Sequence, residues 1–347
     1  MRTMLCGAVI AMALFAGGDA AATTTYSLTI LENHGNIEGQ RSSALGISRK
    51  GVAVGQSIAS DEDQIVAVRW SASGVAEALP RIGTGNNAAI AANDRGQVLG
   101  VVDPTPGANG VPVLWESDGS WAYLTPLVEG GLSTASGINK KGQIVGSSQR
   151  EPRGPYLAVN WRKGAPPNPY PNVPGAYGSA ATAVALNGWV GGYTMFSLSE
   201  QRATVWKDRV PTDLGTLGGT SSAVTAINDV GYAVGWSRGF GNNNTRPFIL
   251  KGGNSLVELP TLDGTDAWAY GINNKGVAVG YGMSAGTTRA VMWKDGGAID
   301  LNDKLSVADK SAGWVLRYAI GIDDRGRVLG VAFNSTTQHS QPFQLSP

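Results

Sequence analysis

Apolar and polar positions along the chain change over in short runs. Stretches such as Ala67-Val68-Arg69-Trp70 and Ala203-Thr204-Val205-Trp206 are brief and rich in β-branched residues, and glycine, asparagine and aspartate punctuate the chain between them. That pattern predicts strands joined by tight turns. Helix-length segments of 3.6-residue periodicity are missing.

The runs recur as one unit. Its core is a stretch of small residues, Ile-Asn or a variant, two further residues, Gly, and an apolar strand ending in Gly. One copy reads Ala135-Ser136-Gly137-Ile138-Asn139-Lys140-Lys141-Gly142-Gln143-Ile144-Val145-Gly146. Equivalent pairs are Gly51 and Gly55, Gly96 and Gly100, Gly188 and Gly192, Gly231 and Gly235, Gly276 and Gly280, and Gly326 and Gly330. The first glycines of the pairs are 45, 46, 46, 43, 45 and 50 residues apart. A second landmark follows 17–19 residues later: Trp70, Trp115, Trp161, Trp206 and Trp293, with Leu250 and Leu345 in the same slot. A third is a pair of apolar residues three apart, as in Leu79 and Ile82 or Leu214 and Leu217. Leu301 and Leu305 depart from it by one residue, and Leu28 and Leu31 form an extra pair ahead of the first unit.

Each unit therefore predicts four short strands, with the turn glycine supplying the positive φ of a tight hairpin. A four-stranded unit of about 45 residues is the size of a propeller blade. The expected fold is all-β: a seven-bladed β-propeller of four-stranded blades, its ring closed by the N-terminal Leu28 strand pairing with the C-terminal blade. Counting blades from the Leu strand gives the same ring without an exchanged strand, so the phase stays open. A solenoid would need capping repeats at both ends, and none is evident. A chain of 347 residues suggests about two domains by length alone. The repeat makes residues 23–347 one domain instead.

The first residues read differently. Arg2 precedes the apolar run from Met4 to Ala16, and small residues end in Ala20-Ala21-Ala22. That order is a secretory signal over residues 1–22, cleaved after Ala20 or Ala22. The protein is expected to be secreted or periplasmic, with no membrane span after signal removal. Cys6 lies inside the signal, so the mature chain would carry no cysteine and hold together without disulfides.

The segment Asp213-Leu214-Gly215-Thr216-Leu217-Gly218-Gly219-Thr220-Ser221-Ser222-Ala223-Val224-Thr225-Ala226-Ile227-Asn228-Asp229-Val230-Gly231 resembles the HAF repeat of exported bacterial proteins. Arg289-Ala290-Val291-Met292-Trp293-Lys294-Asp295-Gly296 is similar to the part that names it. The resemblance spans about residues 26–345. It implies an extracytoplasmic repeat protein of β-propeller type and implies no reaction. The histidine of the naming motif is replaced in every unit, by Val66, Val111, Leu157, Arg202, Arg246, Arg289 and Gln341.

Composition narrows the function classes. Charged residues are 15% and the formal net charge is +1, with no basic tract, which argues against nucleic acid and anionic membranes as partners. Ten tryptophans and 42% hydrophobic residues are enough for a packed core, so disorder is excluded. The 49 glycines recur by unit and are mostly turn punctuation.

Candidate chemistry is sparse. His34 and His339 would approach each other if the ring closes, but solvated loop residues are the simpler reading, and no metal site or cofactor is expected. Asp61-Glu62-Asp63 lacks the ligand spacing of a calcium loop. Asp263, Asp266, Asp323 and Asp324 read as turn residues that bond their own backbone. Gly282-Met283-Ser284-Ala285-Gly286 matches a nucleophile elbow literally, yet it leads into the Trp293 strand rather than a helix.

More informative are five tryptophans outside the repeated slot: Trp121, Trp189, Trp236, Trp268 and Trp314. Trp236, Arg238 and Phe240 open a Gly- and Asn-rich loop. Trp268 and Tyr270 sit where other units use Ala, Ser or Thr. Aromatic faces stack on sugars and anchor protein interfaces. Arg202, Arg246 and Arg289 share one slot in three consecutive units and predict a basic arc. The expected function is an exported, non-enzymatic binding module for a glycan or an extracytoplasmic protein partner, contacted through Trp236, Arg238, Phe240, Trp268, Tyr270, Arg202, Arg246 and Arg289. The alternative is a polysaccharide lyase or glycoside hydrolase acting at the channel face of the ring.

Overall fold

The computed structural model describes residues 25–34, 42–58, 64–163 and 165–347. The expected signal segment with Cys6 and the acidic run at 61–63 lie outside the described residues.

The described chain is all-β, built from small antiparallel sheets. Five are four-stranded, and one eight-stranded sheet consists of two such units joined by a single parallel position, Gln201 opposite Ser221. Unit one is typical, with strands Ser42–Ile47, Ala53–Ile58, Ile65–Trp70 and Ala76–Ala78 hydrogen-bonded in that order. The last unit differs. Its strands are Trp314–Ile322, Val328–Asn334 and His339–Ser346, and its outer strand is Ser27–Ile30 from the N-terminal end. Leu28 lies opposite Leu345, and Ile30 opposite Phe343. This answers the question of phase: the early Leu strand is exchanged onto the last unit.

Two glycines make each unit. Gly142 adopts φ 81° in the Asn139–Gly142 turn, a conformation that favours residues without a Cβ. Gly146, on the second strand, lies so close to the carbonyl of Thr134 that a Cβ there would collide with it. The first strand carries a register shift at this point, between Ala135 and Gly137. A bulge and a glycine thus occur together, which explains why the sequence spaces two glycines so regularly.

The repeated tryptophans form the walls between units. Trp161 and Trp206 are fully buried. Each indole N–H donates to a carbonyl beyond the outer strand of the preceding unit: Trp115 to Pro80, Trp161 to Thr125, Trp206 to Pro171 and Trp293 to Pro260, at 2.7–2.8 Å. Trp70 donates to Glu32, just past the strand that completes the last unit. A buried indole needs such an acceptor. The apolar clusters likewise span neighbouring units, as in Val279, Ala290 and Met292 with Leu316, Ala319 and Phe343.

The longest repeat interval also has a structural cause. Between units six and seven the chain forms a 3-10 turn, Leu301–Lys304, and a short helix, Val307–Ser311, capped by Ser306 and Asp309. Leu301 and Leu305 are buried there, so the irregular leucine pair marks an insertion.

Candidate functional site

The sheets present two contrasting ends. At one end lie the Asn-x-x-Gly turns; at the other lie the loops between second and third strands and those that connect units.

At the turn end, hydrogen bonds run from unit to unit. The side chain of Asn93 donates to the carbonyl of Asn139, Asn139 to Ala185, Asn228 to Asn273 and Asn273 to Asp323, at 2.9–3.1 Å. The same asparagines accept from backbone N–H groups of their own turns, as Asn139 does from Lys141 and Gln143. Where Ser48 and Ala185 stand in the asparagine slot, other groups take over: Lys50 N–H donates to Asp94 and Leu186 N–H to Asp229. Between units seven and one, Arg327 is held by Asp323 at 2.6 Å and reaches the Lys50 carbonyl, while Asp324 N–H donates to the Arg49 carbonyl. Asp323 does bond its own turn, through the N–H groups of Arg325 and Arg327. Asp324 instead accepts from Asn274 of the preceding unit.

These turns surround a central cavity of about 240 Å³. Its lining takes residues from each of these units, among them Ile47, Ala92, Ile138, Val184, Ala226, Ile272 and Ile322. Arg49 crosses its turn-end mouth, pairing with Asp229 at 3.1 Å and donating to Asn274 and to the Ile227 carbonyl. Arg49 thereby links units one, five and six, and Asp94 and Lys140 also line the cavity.

Trp121 and Trp189 follow turns at the turn end, whereas Trp236, Arg238, Phe240, Trp268 and Tyr270 lie toward the loop end in two neighbourhoods. Trp268 and Tyr270 belong to an aromatic group of four rings. Trp268 stacks on Tyr281 at 4.9 Å with planes 12° apart. Tyr270 lies 5.7 Å from Tyr281, and Tyr318 of unit seven meets Tyr281 edge-on at 5.1 Å. Tyr270 also lines the central cavity, so the group runs from the channel wall toward the loop end. Burial pushes the phenols of Tyr270 and Tyr281 above the usual tyrosine range, and in each case a neighbouring tyrosine adds to the rise. Tyr318 remains 36% exposed.

Trp236, Arg238 and Phe240 lie apart from that group, on and beyond the second strand of unit five. Trp236 sits opposite Ala223 and Pro247 and is half-buried. Phe240 is 90% exposed at the tip of the turn Phe240–Asn242.

The three repeated arginines do share one register slot, opposite Thr194, Ser237 and Gly282. Their charge is largely cancelled. Arg202 pairs with Glu200 and Asp213 and lies over the Phe196 ring, and Arg246 pairs with Glu258. Arg289 borders a surface cleft with Asp300 and Asp303. Two of the three arginines are ion-paired, and Arg289 forms no ion pair among the described residues, so the slot does not present three free cations.

Sequence reasoning missed Tyr281 and Tyr318. The slot after the second glycine holds Tyr193, Trp236 and Tyr281 in consecutive units, opposite Ala180, Ala223 and Trp268. Aligning that slot would have flagged Tyr281, and the slot opposite it would have flagged Tyr318. His34 and His339 are not part of the cavity lining, and no group of three or more His, Cys, Asp or Glu side chains that could hold a metal occurs among the described residues. No helix among the described residues is long and apolar enough to cross a membrane.

No family model matches the chain, and no curated protein matches it. Solved structures do. Virginiamycin B lyase from Staphylococcus aureus is 11% identical over 93% of this chain and 99% of its own, with a TM-score of 0.56. The β-propeller domain of the Trilobed protease from Pyrococcus furiosus, described as having an open velcro topology, is 9% identical over 88% of this chain and 95% of its own, with a TM-score of 0.54. A streptogramin B lyase is 11% identical over 92% and 97%, with a TM-score of 0.53. At such identity the likeness shows the fold alone. The protein is an all-β chain with the fold of β-propellers.

Proposed function

We propose that the chain is an exported, non-enzymatic glycan-binding module of the HAF-repeat kind, built as a closed seven-bladed propeller. The observation that carries the binding reading is the four-ring group of Trp268, Tyr270, Tyr281 and Tyr318, which gathers from two units beside the central cavity. Aromatic faces next to a concavity edged by polar groups suit a pyranose ring, whose C–H face stacks while its hydroxyls hydrogen-bond. The closed ring is supported by the Leu28–Leu345 pairing and by the Arg327 bond from unit seven to the Lys50 carbonyl of unit one. Export rests on the signal-like residues 1–22.

The lyase or hydrolase alternative asks for an acid and a base left available at the channel. At the turn-end mouth Arg49 is bonded to Asp229 and Asn274, and Asp94 and Lys140 are the other charged groups in the lining. In the virginiamycin B lyase a histidine-to-alanine variant is catalytically inactive. The histidines here, His34 and His339, are not in the cavity lining.

A glycan array probed with residues 23–347 should give a defined set of binders, and tryptophan fluorescence should shift on titration with them. Trp268→Ala and Tyr318→Ala should each weaken binding about tenfold. Absence of any binder, or unchanged affinity in both variants, sinks the proposal. Release of new reducing or unsaturated sugar ends would transfer the site to the enzyme reading.

A further inference from the structure

Large exposed apolar side chains recur at the loop end of units three to five, and Val307, 82% exposed on the inserted helix, stands apart from them. Leu132 precedes the first strand of unit three, Tyr177 precedes that of unit four, Leu198 tips the second loop of unit four, and Phe240 tips that of unit five. Leu198 is 101% and Phe240 90% exposed. Three consecutive units thus carry an arc of apolar tips away from the aromatic group of units six and seven. Leu132 and Tyr177 are partly packed, at 40% and 39% exposed, whereas Leu198 and Phe240 stand clear of the sheets.

The arc is held in place. Phe196 N–H donates to the Glu200 carbonyl across the Leu198 loop, and Ser221 of unit five donates to the carbonyl of Ser199. Thr220 N–H donates to Asn242, which belongs to the Phe240 turn. The Leu198 and Phe240 loops are therefore tied through one segment, residues 217–222, and their tips are presented without being free to fold back.

Charge around the arc is selective. Arg150 pairs with Glu151, Arg202 with Glu200 and Asp213, and Arg246 with Glu258. Among the described residues Arg153 and Arg238 form no ion pair. Arg153 sits in the turn of unit three at φ 63°, and Arg238 lies on the strand that leads to Phe240. Glu129 is exposed near Leu132. Protruding tips rather than a concavity do not suit a sugar. Apolar anchors beside uncompensated arginines are instead the anatomy of a protein interface, with arginine and aromatic residues as its energetic centre.

We propose that the loop end of units three to five is a protein-docking surface. Its partner is a protein segment whose apolar side chains seat Leu198 and Phe240 and whose carboxylates meet Arg153 and Arg238. Opposite charges flanking an apolar centre fix orientation and speed encounter. This surface is separate from the glycan site, and either can be lost without the other.

Panning a displayed library of random peptides on the folded protein tests it. Enriched peptides should combine Leu, Phe or Trp with flanking Asp or Glu. Their affinity should fall about tenfold or more in a Leu198→Ser/Phe240→Ser double variant. It should fall as salt rises and in Arg238→Glu, while Trp268→Ala leaves it unchanged. Both tips are solvent-exposed, so the double variant should unfold at the same temperature as the parent. The proposal is overturned if no peptides enrich, if the enriched peptides lack acidic residues, or if they bind the double variant as tightly. It is equally overturned if the patch is found to pair two copies of this chain, seen as a dimer in sedimentation that the double variant abolishes.

Discussion

The two ends of the sheets are made from the same repeats and behave oppositely. At the turn end the same slot is filled by Asn93, Asn139, Asn228 and Asn273, and each reaches the next unit in the same way. At the loop end the paired slots change from unit to unit and no two units agree: Ser43 faces Gln56, Ala88 faces Val101, Thr134 faces Ser147, Ala180 faces Tyr193, Ala223 faces Trp236, Trp268 faces Tyr281 and Tyr318 faces Val331. Packed repeats need their neighbours held at consistent angles, whichever groups hold them, since Asp94 and Asp229 serve where the asparagine is missing. A binding surface needs the opposite, a place where the repeat is broken. The difference teaches where structure and where recognition are held in a repeat protein.

The strongest test of that contrast lies in the walls between units. Trp206 is fully buried and donates to the Pro171 carbonyl of the preceding unit. Trp206→Ala should cost about 3–5 kcal/mol, by lost transfer energy plus a cavity. Trp268→Ala removes a half-buried indole of the same size and should cost about 1 kcal/mol. Urea unfolding followed by circular dichroism measures both. Equal losses would mean that the loop-end aromatics are structural after all.

A smaller effect belongs to the belt of asparagines. Asn273 donates to Asp323 of the next unit and accepts from Lys275 and Val277 in its own turn. Asn273→Ala leaves these buried groups without partners and should cost about 1–3 kcal/mol. Ala185 already stands in this slot in unit four, where Asp229 of the next unit accepts from Leu186 instead. Ala185→Asn should therefore gain little. A large gain there would show that the belt is not already complete.

Much of the fold was readable because its causes are local and repeated. Gly142, Gly146 and their equivalents mark a turn and a bulge in each unit, and a single periodic signal implies four-stranded units. That signal leaves open where the Leu28 strand pairs, which only the strand register shows. The belt was not readable in the same way. Asn139 looks like an ordinary turn residue, since its own turn does use it; its second role, toward Ala185, depends on how two units are angled. The site was legible only in part, for a related reason. Trp268 and Tyr270 stood out as exceptions to the repeat. Tyr281 and Tyr318 look like ordinary strand residues until the sheets bring them to Trp268. The arginine slot failed in the reverse direction: Arg202 and Arg246 recur as expected, but Glu200, Asp213 and Glu258 come from adjacent positions and cancel them.

Alkaline pH separates the ends more gently. Burial raises the phenols of Tyr270 and Tyr281 above the ordinary value of about 10. A group whose folded pKa is raised stabilises the fold fully below its unfolded pKa and loses that contribution as pH climbs through the folded value. Stability should therefore decline above about pH 10. Tyr170 and Tyr193 are also raised by burial, so a Tyr270→Phe/Tyr281→Phe variant should decline less steeply, not stay flat. Denaturant midpoints across that range give the answer. Parallel curves for the two proteins would place the alkaline loss outside the aromatic group.

The smallest effect is expected at the most conspicuous residue. Phe240 has the size and chemistry of a core side chain, yet it is 90% exposed on a turn whose backbone is held by Asn242 and by the Gly239–Asn244 hydrogen bond. Exposed side chains away from caps and strained backbone change stability by no more than about 0.5 kcal/mol. Phe240→Ser should thus leave the unfolding free energy within that margin. Solubility should improve, because an isolated apolar tip contributes only to association. A loss well above the margin, measured by urea unfolding at a fixed protein concentration, would mean that Phe240 packs against the ring in solution. The turn would then belong with the structural end of the molecule, and the arc of Leu132, Tyr177, Leu198 and Phe240 would lose its strongest anchor. A loss within the margin leaves an apolar residue that the fold has no use for, at the place where the repeat is broken.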